Sequence, residues 1–213
     1  MIDYARRCGL NIADLAVDRH VDNGQGHRKA FVWLGPEGHR VTVTYAHLKQ
    51  QSDRFANVLE DLGVTPGKTV AVHTGRIPEL YFAALGIWKK RCVFCPLFSD
   101  FGAEPLFHRL HRSRAVVLVT TEEHYRRKIS ELRRRLPHLR HVILIDASDS
   151  AHPGCRAFSR LMRRASDRIS IAATGPEDPA VLHFTSGTTG MPKGAVHVHD
   201  AVRSHYNTGR CVL

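Results

Sequence analysis

Between residues 69 and 144 the chain alternates two kinds of segment. Short apolar runs, "KTVAVHT", "CVFCPLF", "AVVLVT" and "HVILID", are separated by stretches with helical spacing, "IPELYFAALGIWKK" and those from about 103 to 112 and 122 to 136. The apolar runs are continuous rather than alternating with polar residues, which predicts strands buried on both faces. Strand–helix alternation of that kind folds as a mostly parallel sheet wrapped by helices. The expected class is therefore α/β.

The remaining chain is read around that unit. Residues 1–43 hold a short amphipathic helix, "NIADLAVDRHV", and two strand-like runs, "KAFVWLG" and "RVTVTY", joined by the turn residues "GPEGH" as a hairpin. In the α/β region, 44–145, Thr44 is placed to cap a helix running to about Leu62, where Leu48, Phe55, Val58, Leu59 and Leu62 recur at helical spacing and Gly63 stops it. Pro78 falls in the first turn of the next helix, where its missing N–H costs nothing. Residues 146–179 are polar and rich in Pro and Gly, and read as a surface connection with one helix near Phe158. Residues 180–213 carry a Gly- and Thr-rich loop between two strand-like runs. Neither an internal repeat nor a low-complexity stretch is evident.

Composition narrows the classes of partner. The net charge is +11, from 31 Lys and Arg against 20 Asp and Glu, which favours anionic ligands. The arginines gather in "YRRKISELRRRLPHLRH" and "SRLMRRASDR". The first has helical spacing that puts Ile129, Leu132 and Leu136 on one face, and its charges read as a solvated face. Nucleic-acid binding lacks zinc-finger spacing and an aromatic-rich strand. No apolar run approaches the ~20 residues of a membrane span, and the first residues show no signal-peptide pattern, so a cytoplasmic location with no membrane partner is expected. The five cysteines are irregularly spaced. Cys92 and Cys95 have C-x-x-C spacing, but on a strand positions three apart face opposite ways; buried, divergent thiols are expected rather than a redox or zinc pair.

The loop "TSGTTGMPKG" carries the chemistry. Its glycines let backbone N–H groups turn toward an anion, its hydroxyls add donors, and Lys193 adds a mobile positive charge between Pro192 and Gly194. It is not a Walker A loop: Pro192 stands where that motif needs its second glycine, Gly194 replaces the metal-binding Ser/Thr, and a strand rather than a helix follows. Ordinary hairpin turns are shorter. His197 and His199 lie two apart on the following strand; with no third ligand evident, His199 is expected to shape the site rather than to bind metal.

These residues resemble the signature loop of the adenylate-forming enzymes, [ST]-[ST]-G-[ST]-[ST]-G-x-P-K-G, at every constrained position. The flanks, "LHFTSGTTGMPKGAVHVHDAVRSHYNTGRCVL", "SDRFANVLEDLGVTPGKTVAV", "RIPELYFAALG" and "PLFSDFGAEPLFHRL", are similar to the acetyl-CoA synthetase (acetate–CoA ligase) branch, over about residues 11–213. The resemblance implies the N-terminal part of the large domain of such an enzyme, truncated, with mostly parallel sheets covered by helices. It implies ATP, Mg2+ and CoA as cofactors and substrates, with acetate or a short carboxylate converted to acyl-CoA, AMP and pyrophosphate. Carried over residue by residue, Thr185, Ser186, Gly187, Thr188, Thr189, Gly190 and Lys193 are the phosphate contacts, and Arg126, Arg127 and Lys128 fall, with a partial match, where some synthetases hold CoA phosphates. The family's acyl and adenine pocket, its later magnesium-binding and ribose-binding motifs and its mobile C-terminal domain with the catalytic lysine have no counterpart in these 213 residues. This sequence by itself is therefore expected to be inactive, with a missing C-terminal segment as one possible partner and no catalytic residue assigned. A non-catalytic nucleotide-binding or partner-binding protein is the alternative, ahead of a basic nucleic-acid-binding protein. One further departure is "WKKRCVFCPLF": the branch carries small residues and glycine where Lys90, Arg91 and Cys92 stand, and a bulky charged helix end is expected to loosen packing there.

Overall fold

A computed structural model describes residues 9–148, 152–185 and 191–212, and everything below concerns those residues. Strands β1 (Lys29–Leu34) and β2 (Arg40–Thr44) form an antiparallel hairpin. The other strands are β3 (Thr69–His73), β4 (Val93–Pro96), β5 (Val117–Thr120), β6 (His141–Leu144), β7 (Cys155–Ala157), β8 (Pro179–Thr185) and β9 (Lys193–Val198). They make one sheet in the order β7-β6-β5-β3-β4-β8-β9, parallel except for the antiparallel pair β8–β9. The helices are α1 (Tyr45–Asp61), α2 (Pro78–Lys89), α3 (Ala103–Ser113), α4 (Phe158–Arg164) and α5 (Ala201–Val212).

The alternation expected from the sequence is present, and so is its physical cause. Val70 and Val72 of β3 pack with Phe55 and Leu59 of α1, Ala83 and Ile87 of α2 and Met162 of α4. Ala71, between them, packs on the other face with Leu106 and Leu110 of α3 and with Ile129. Each central strand thus divides its side chains between two apolar layers, which is why its run is continuous. From β3 the chain moves by α2 to β4 on one side, then returns by α3 to β5 on the other. The strand order therefore reverses between β3 and β5, the kind of place where doubly wound sheets open a crevice beyond the strands' carboxyl ends.

Local signals hold at most positions. The Thr44 side chain accepts from the His47 backbone N–H and caps α1, and Gly63 takes φ +67° just past its end. Cys92 and Cys95 are both fully buried, in opposite apolar layers, and burial pushes their thiols up to about 11 and about 12. Two such thiols are unreactive and too divergent for a pair.

Three readings need correction. The segment expected to be one helix from 122 to 136 is irregular. Thr121 caps a short turn, the Ser130 N–H reaches back five residues to the Tyr125 carbonyl, and a tight turn over Leu132–Arg135 ends the run. Residues 146–179 are more than a surface connection: β7 extends the sheet beside β6, while Phe158 and Met162 of α4 enter the core. Three residues of strand carry too little periodicity to register in a polar stretch. Finally, the helix end at Lys90–Cys92 is not loosened. Arg91 adopts φ +55°, a left-handed conformation that glycine takes without strain, at a cost of roughly 1 kcal/mol. Its guanidinium meets the Asp178 carboxylate at 2.9 Å, Lys90 pairs with Glu60 at 3.2 Å, and Cys92 fits fully buried behind them.

A buried ionic cluster under α1 and α2 has no local signature in the sequence. Lys89 is fully buried, with its ammonium 2.6 Å from Asp53 and 2.8 Å from Asp18. Lys49 also reaches Asp53, one turn along α1. The cluster pins the helical segment 12–25, which carries Asp18, against the two helices. Burial pushes the Asp18 carboxyl up, opposed by the attraction of Lys89.

Candidate phosphate-binding site

β8 and β9 present the signature loop as the tip of a hairpin. Thr185 and Lys193 are the last cross-strand pair before it, and the Thr185 hydroxyl approaches the Lys193 carbonyl at 3.4 Å. Both side chains are exposed, while Pro192 is buried beside Lys193. Of the seven residues assigned to phosphate contact, these two are placed; Ser186, Gly187, Thr188, Thr189 and Gly190 lie outside the described residues.

The hairpin's foot is tied to the parallel core at several points. Val181 pairs with Phe94 of β4, the Trp88 indole N–H donates to the Ala180 carbonyl at 2.9 Å, and Arg91 holds Asp178. β8 runs parallel to β4, so Thr185 leaves at the sheet edge where β3 and β4 also end. A cleft of about 320 Å³ opens at that edge, with Gly75 and Arg76 after β3, Phe98 and Ser99 after β4, and His183 and Phe184 of β8 on its walls. The Arg109 guanidinium lies 3.9 Å over the Phe101 ring and props the loop after β4 from beneath. Lys128 donates to the Ser99 carbonyl at 2.6 Å, so it comes to the rim of this cleft, whereas Arg127 is occupied by Glu123 at 2.8 Å. A wider groove of about 600 Å³ lies between residues 12–25 and α5, with Leu15, Val202 and Tyr206 among its walls; Thr185 and Lys193 line neither this groove nor the cleft, which meets the hairpin at His183 and Phe184.

The two histidines after the loop part company. His197 is exposed, and its ring lies 5.7 Å from that of His183 across the hairpin. His199 follows β9 in a turn and is fully buried; its Nδ1 accepts from the Ile12 backbone N–H at 3.2 Å. Burial holds its imidazole down at about 4, although Asp178 nearby favours the charged form. It is thus a neutral tether between the hairpin and the N-terminal segment.

A residue that the sequence reading passed over sits at the reversal of strand order. His73 ends β3 fully buried, its backbone carbonyl accepts from the Thr120 hydroxyl at 2.9 Å, and its ring lies 4.6 Å from His124. Burial and the neighbouring His124 and Lys128 push its imidazole down to about 4. The signal was a polar residue closing the apolar run "VAVH".

Comparison with known proteins settles the family. A profile of the AMP-binding enzyme family matches residues 17–211. The chain belongs to the AMP-binding enzymes. An acetyl-coenzyme A synthetase of Bacillus subtilis is 35% identical over 205 residues, covering 96% of this chain and 35% of that protein. One from Mycolicibacterium smegmatis is 34% identical over 201 residues, covering 88% of this chain and 21% of that protein. The crystal structure of a Brucella canis acyl-CoA synthetase superposes with a TM-score of 0.84 at 26% identity, over 99% of this chain and 39% of that one. The α/β class and its mostly parallel sheet therefore agree with the AMP-binding family, and the chain spans about a third of the Bacillus relative's length.

Proposed function

We propose that these residues are the nucleotide-phosphate-holding part of an acetyl-CoA synthetase-like acid–CoA ligase. The observation that carries the reading is the placement of the Thr185–Lys193 pair at the tip of a hairpin, beside the cleft where β3 and β4 end. In the reaction proposed, a carboxylate oxygen of acetate or another short acid attacks the α-phosphorus of ATP, and pyrophosphate departs. The thiolate sulfur of CoA then attacks the acyl carbonyl, and AMP leaves.

The chain's own contribution falls on the first step. Charge gathers on the β- and γ-phosphates as pyrophosphate separates, and the Lys193 ammonium with the hydroxyl of Thr185 meets it; Ser186, Thr188 and Thr189 add hydroxyls and Gly187 and Gly190 add backbone donors in this proposal. Fixed donors aimed at developing charge lower such a barrier without new bonds. Among the described residues no group of three His, Cys, Asp or Glu is placed to hold a metal. Magnesium would enter on the ATP phosphates, its usual route. Selection of the acyl group and closure over the adenylate are assigned to the two thirds of the relatives' length outside the match.

Titration of the 213-residue chain with ATP tests this. The expected result is saturable binding that weakens at least tenfold in Lys193→Ala, a loss of about 1.4 kcal/mol or more, with no change in the unfolding midpoint because Lys193 is exposed. ATP binding indifferent to Lys193 would remove the phosphate assignment. The same protein supplied with acetate, ATP and CoA is expected to form no acetyl-CoA; measurable AMP formation would show that the acyl site is already present. Binding without turnover would equally suit a nucleotide-binding protein with no catalysis.

A further inference from the structure

His73 ends β3 two residues after Ala71, and so on the face of the sheet that also packs Leu118 and Ile129. The next residue, Thr74, is on the wall of the cleft of about 320 Å³. Three pieces of chain meet the buried His73 ring. β5 brings Thr120, whose hydroxyl donates to the His73 carbonyl at 2.9 Å and lies 3.4 Å from Nδ1. The turn after β5 brings His124, ring to ring at 4.6 Å. The loop after β4 brings the backbone of Phe98 and Ser99, close enough to act on the ring's charge.

These contacts fix what an added proton meets. The Thr120 hydroxyl gives its hydrogen to the carbonyl, so its oxygen is left to accept from Nδ1–H. The other nitrogen, Nε2, is buried and has no partner among the described residues, and an added proton goes there. His124 and Lys128 oppose the charge. The Ser99 and Phe98 carbonyls favour it, but the Ser99 carbonyl already accepts from Lys128 at 2.6 Å. The carboxylates on the same segments are turned to other groups: Asp100 accepts from the Ser99 hydroxyl, Glu122 meets His152 at 3.1 Å, and Glu123 holds Arg127. From α3, Arg109 adds a further cation, stacked on Phe101.

An imidazolium buried in that setting is costly, and the cost falls once water reaches it. β3 and β5 are fixed by parallel ladders on both sides. The cover that yields most readily is the loop after β4, tied down by the Leu97 N–H to the Val72 carbonyl and by Lys128. We propose that protonation of His73 lifts residues 98–102 off the end of the sheet and opens the wall of the cleft while the sheet stays folded. The gate concerns the wall of the cleft and not its occupant, so it stands or falls apart from the phosphate assignment.

Linkage sets its size. Covered, the His73 imidazole is held at about 4 by burial; uncovered, it regains its ordinary 6.5. The closed form is therefore fully favoured above pH 6.5 and loses ground as pH falls toward 4. Opening gains up to about tenfold per pH unit across that window, to a limit of about 300-fold.

The test is amide exchange of the 213-residue chain, followed residue by residue by NMR across that window and corrected for the pH dependence of free-chain exchange. The Phe101 amide, bonded to the Phe98 carbonyl at 3.2 Å, reports the loop, and the amides of β6 report the sheet. Protection at Phe101 is expected to fall at least about tenfold between pH 6.5 and about pH 5 while β6 holds, and the fall is expected to vanish in His73→Gln. Unchanged protection at Phe101 in the wild type would overturn the proposal, as would a fall that persists in His73→Gln. A fall shared equally by Phe101 and β6 would also overturn it, because it marks unfolding of the whole sheet. His124→Gln removes a repelling neighbour and keeps the titrating ring, so there the fall is expected to persist at reduced size. A fall lost in His124→Gln and kept in His73→Gln would put the proton on His124 and contradict the gate.

Discussion

Strands β5 and β9 lie in one sheet but in opposite surroundings. Val117, Leu118 and Val119 of β5 are fully buried, with α1, α2 and α4 over one face and α3 over the other. In β9 every residue but the last is exposed, and Val196 shows 58% of its surface. β9 is also an edge strand, and Lys193 at its start is its sole Lys, Arg, Asp or Glu, whereas exposed edges are ordinarily blunted by charge or brevity. β7, at the other edge, has both protections: it is three residues long and carries Arg156. The part between α1 and α4 encloses itself. The β8–β9 hairpin is displayed, held at its foot by Trp88, Arg91 and His199.

Substitutions on the enclosed side should cost the most. Lys89→Ala leaves Asp18 and Asp53 buried without their cation and is expected to lower stability by about 3–5 kcal/mol. Denaturant unfolding measures it, and a loss under about 1 kcal/mol would mean that water reaches the cluster. The direct comparison of the two strands comes next. Leu118→Ala in β5 should cost about 2–5 kcal/mol by transfer and cavity terms, while Val196→Ala in β9 should fall within about 0.5 kcal/mol, as for other exposed positions. Similar losses at both sites would show that β9 is covered after all.

Acid acts on both regions through two histidines. His73 in the core and His199 at the hairpin's foot are held at about 4 by burial, against an ordinary value of 6.5. The unfolded chain therefore binds protons that the folded one refuses as pH falls from 6.5. Each group's contribution is whole above pH 6.5 and is lost as pH drops toward 4, to a limit of about 3 kcal/mol each. The slope of stability against pH over that window is expected to flatten in His199→Gln; an unchanged slope would mean that His199 is protonated in the folded state.

The same contrast explains what could be read in advance. Strands β3 to β6 were legible because burial on both faces forces a continuous apolar run, and α1 because Thr44 and Gly63 mark its ends. The β8–β9 hairpin was legible for the opposite reason: its Gly- and Thr-rich loop matches a family signature rather than a packing pattern, and its composition stands out against the rest. What stayed hidden depends on partners distant in sequence. Lys89 looks like an ordinary helix-end lysine until Asp18 and Asp53 converge on it. Arg91 looks misplaced until Asp178 arrives, and β7 is a strand because β6 offers it an edge.

The most direct test of the account is amide hydrogen exchange of the 213-residue chain with and without ATP. Residues 193–198 are expected to exchange fast alone and to slow when ATP is present, while β3, β5 and β6 stay protected throughout. If the β9 amides are unmoved by ATP at saturation, the displayed hairpin is not the phosphate site, and the function assigned to it fails.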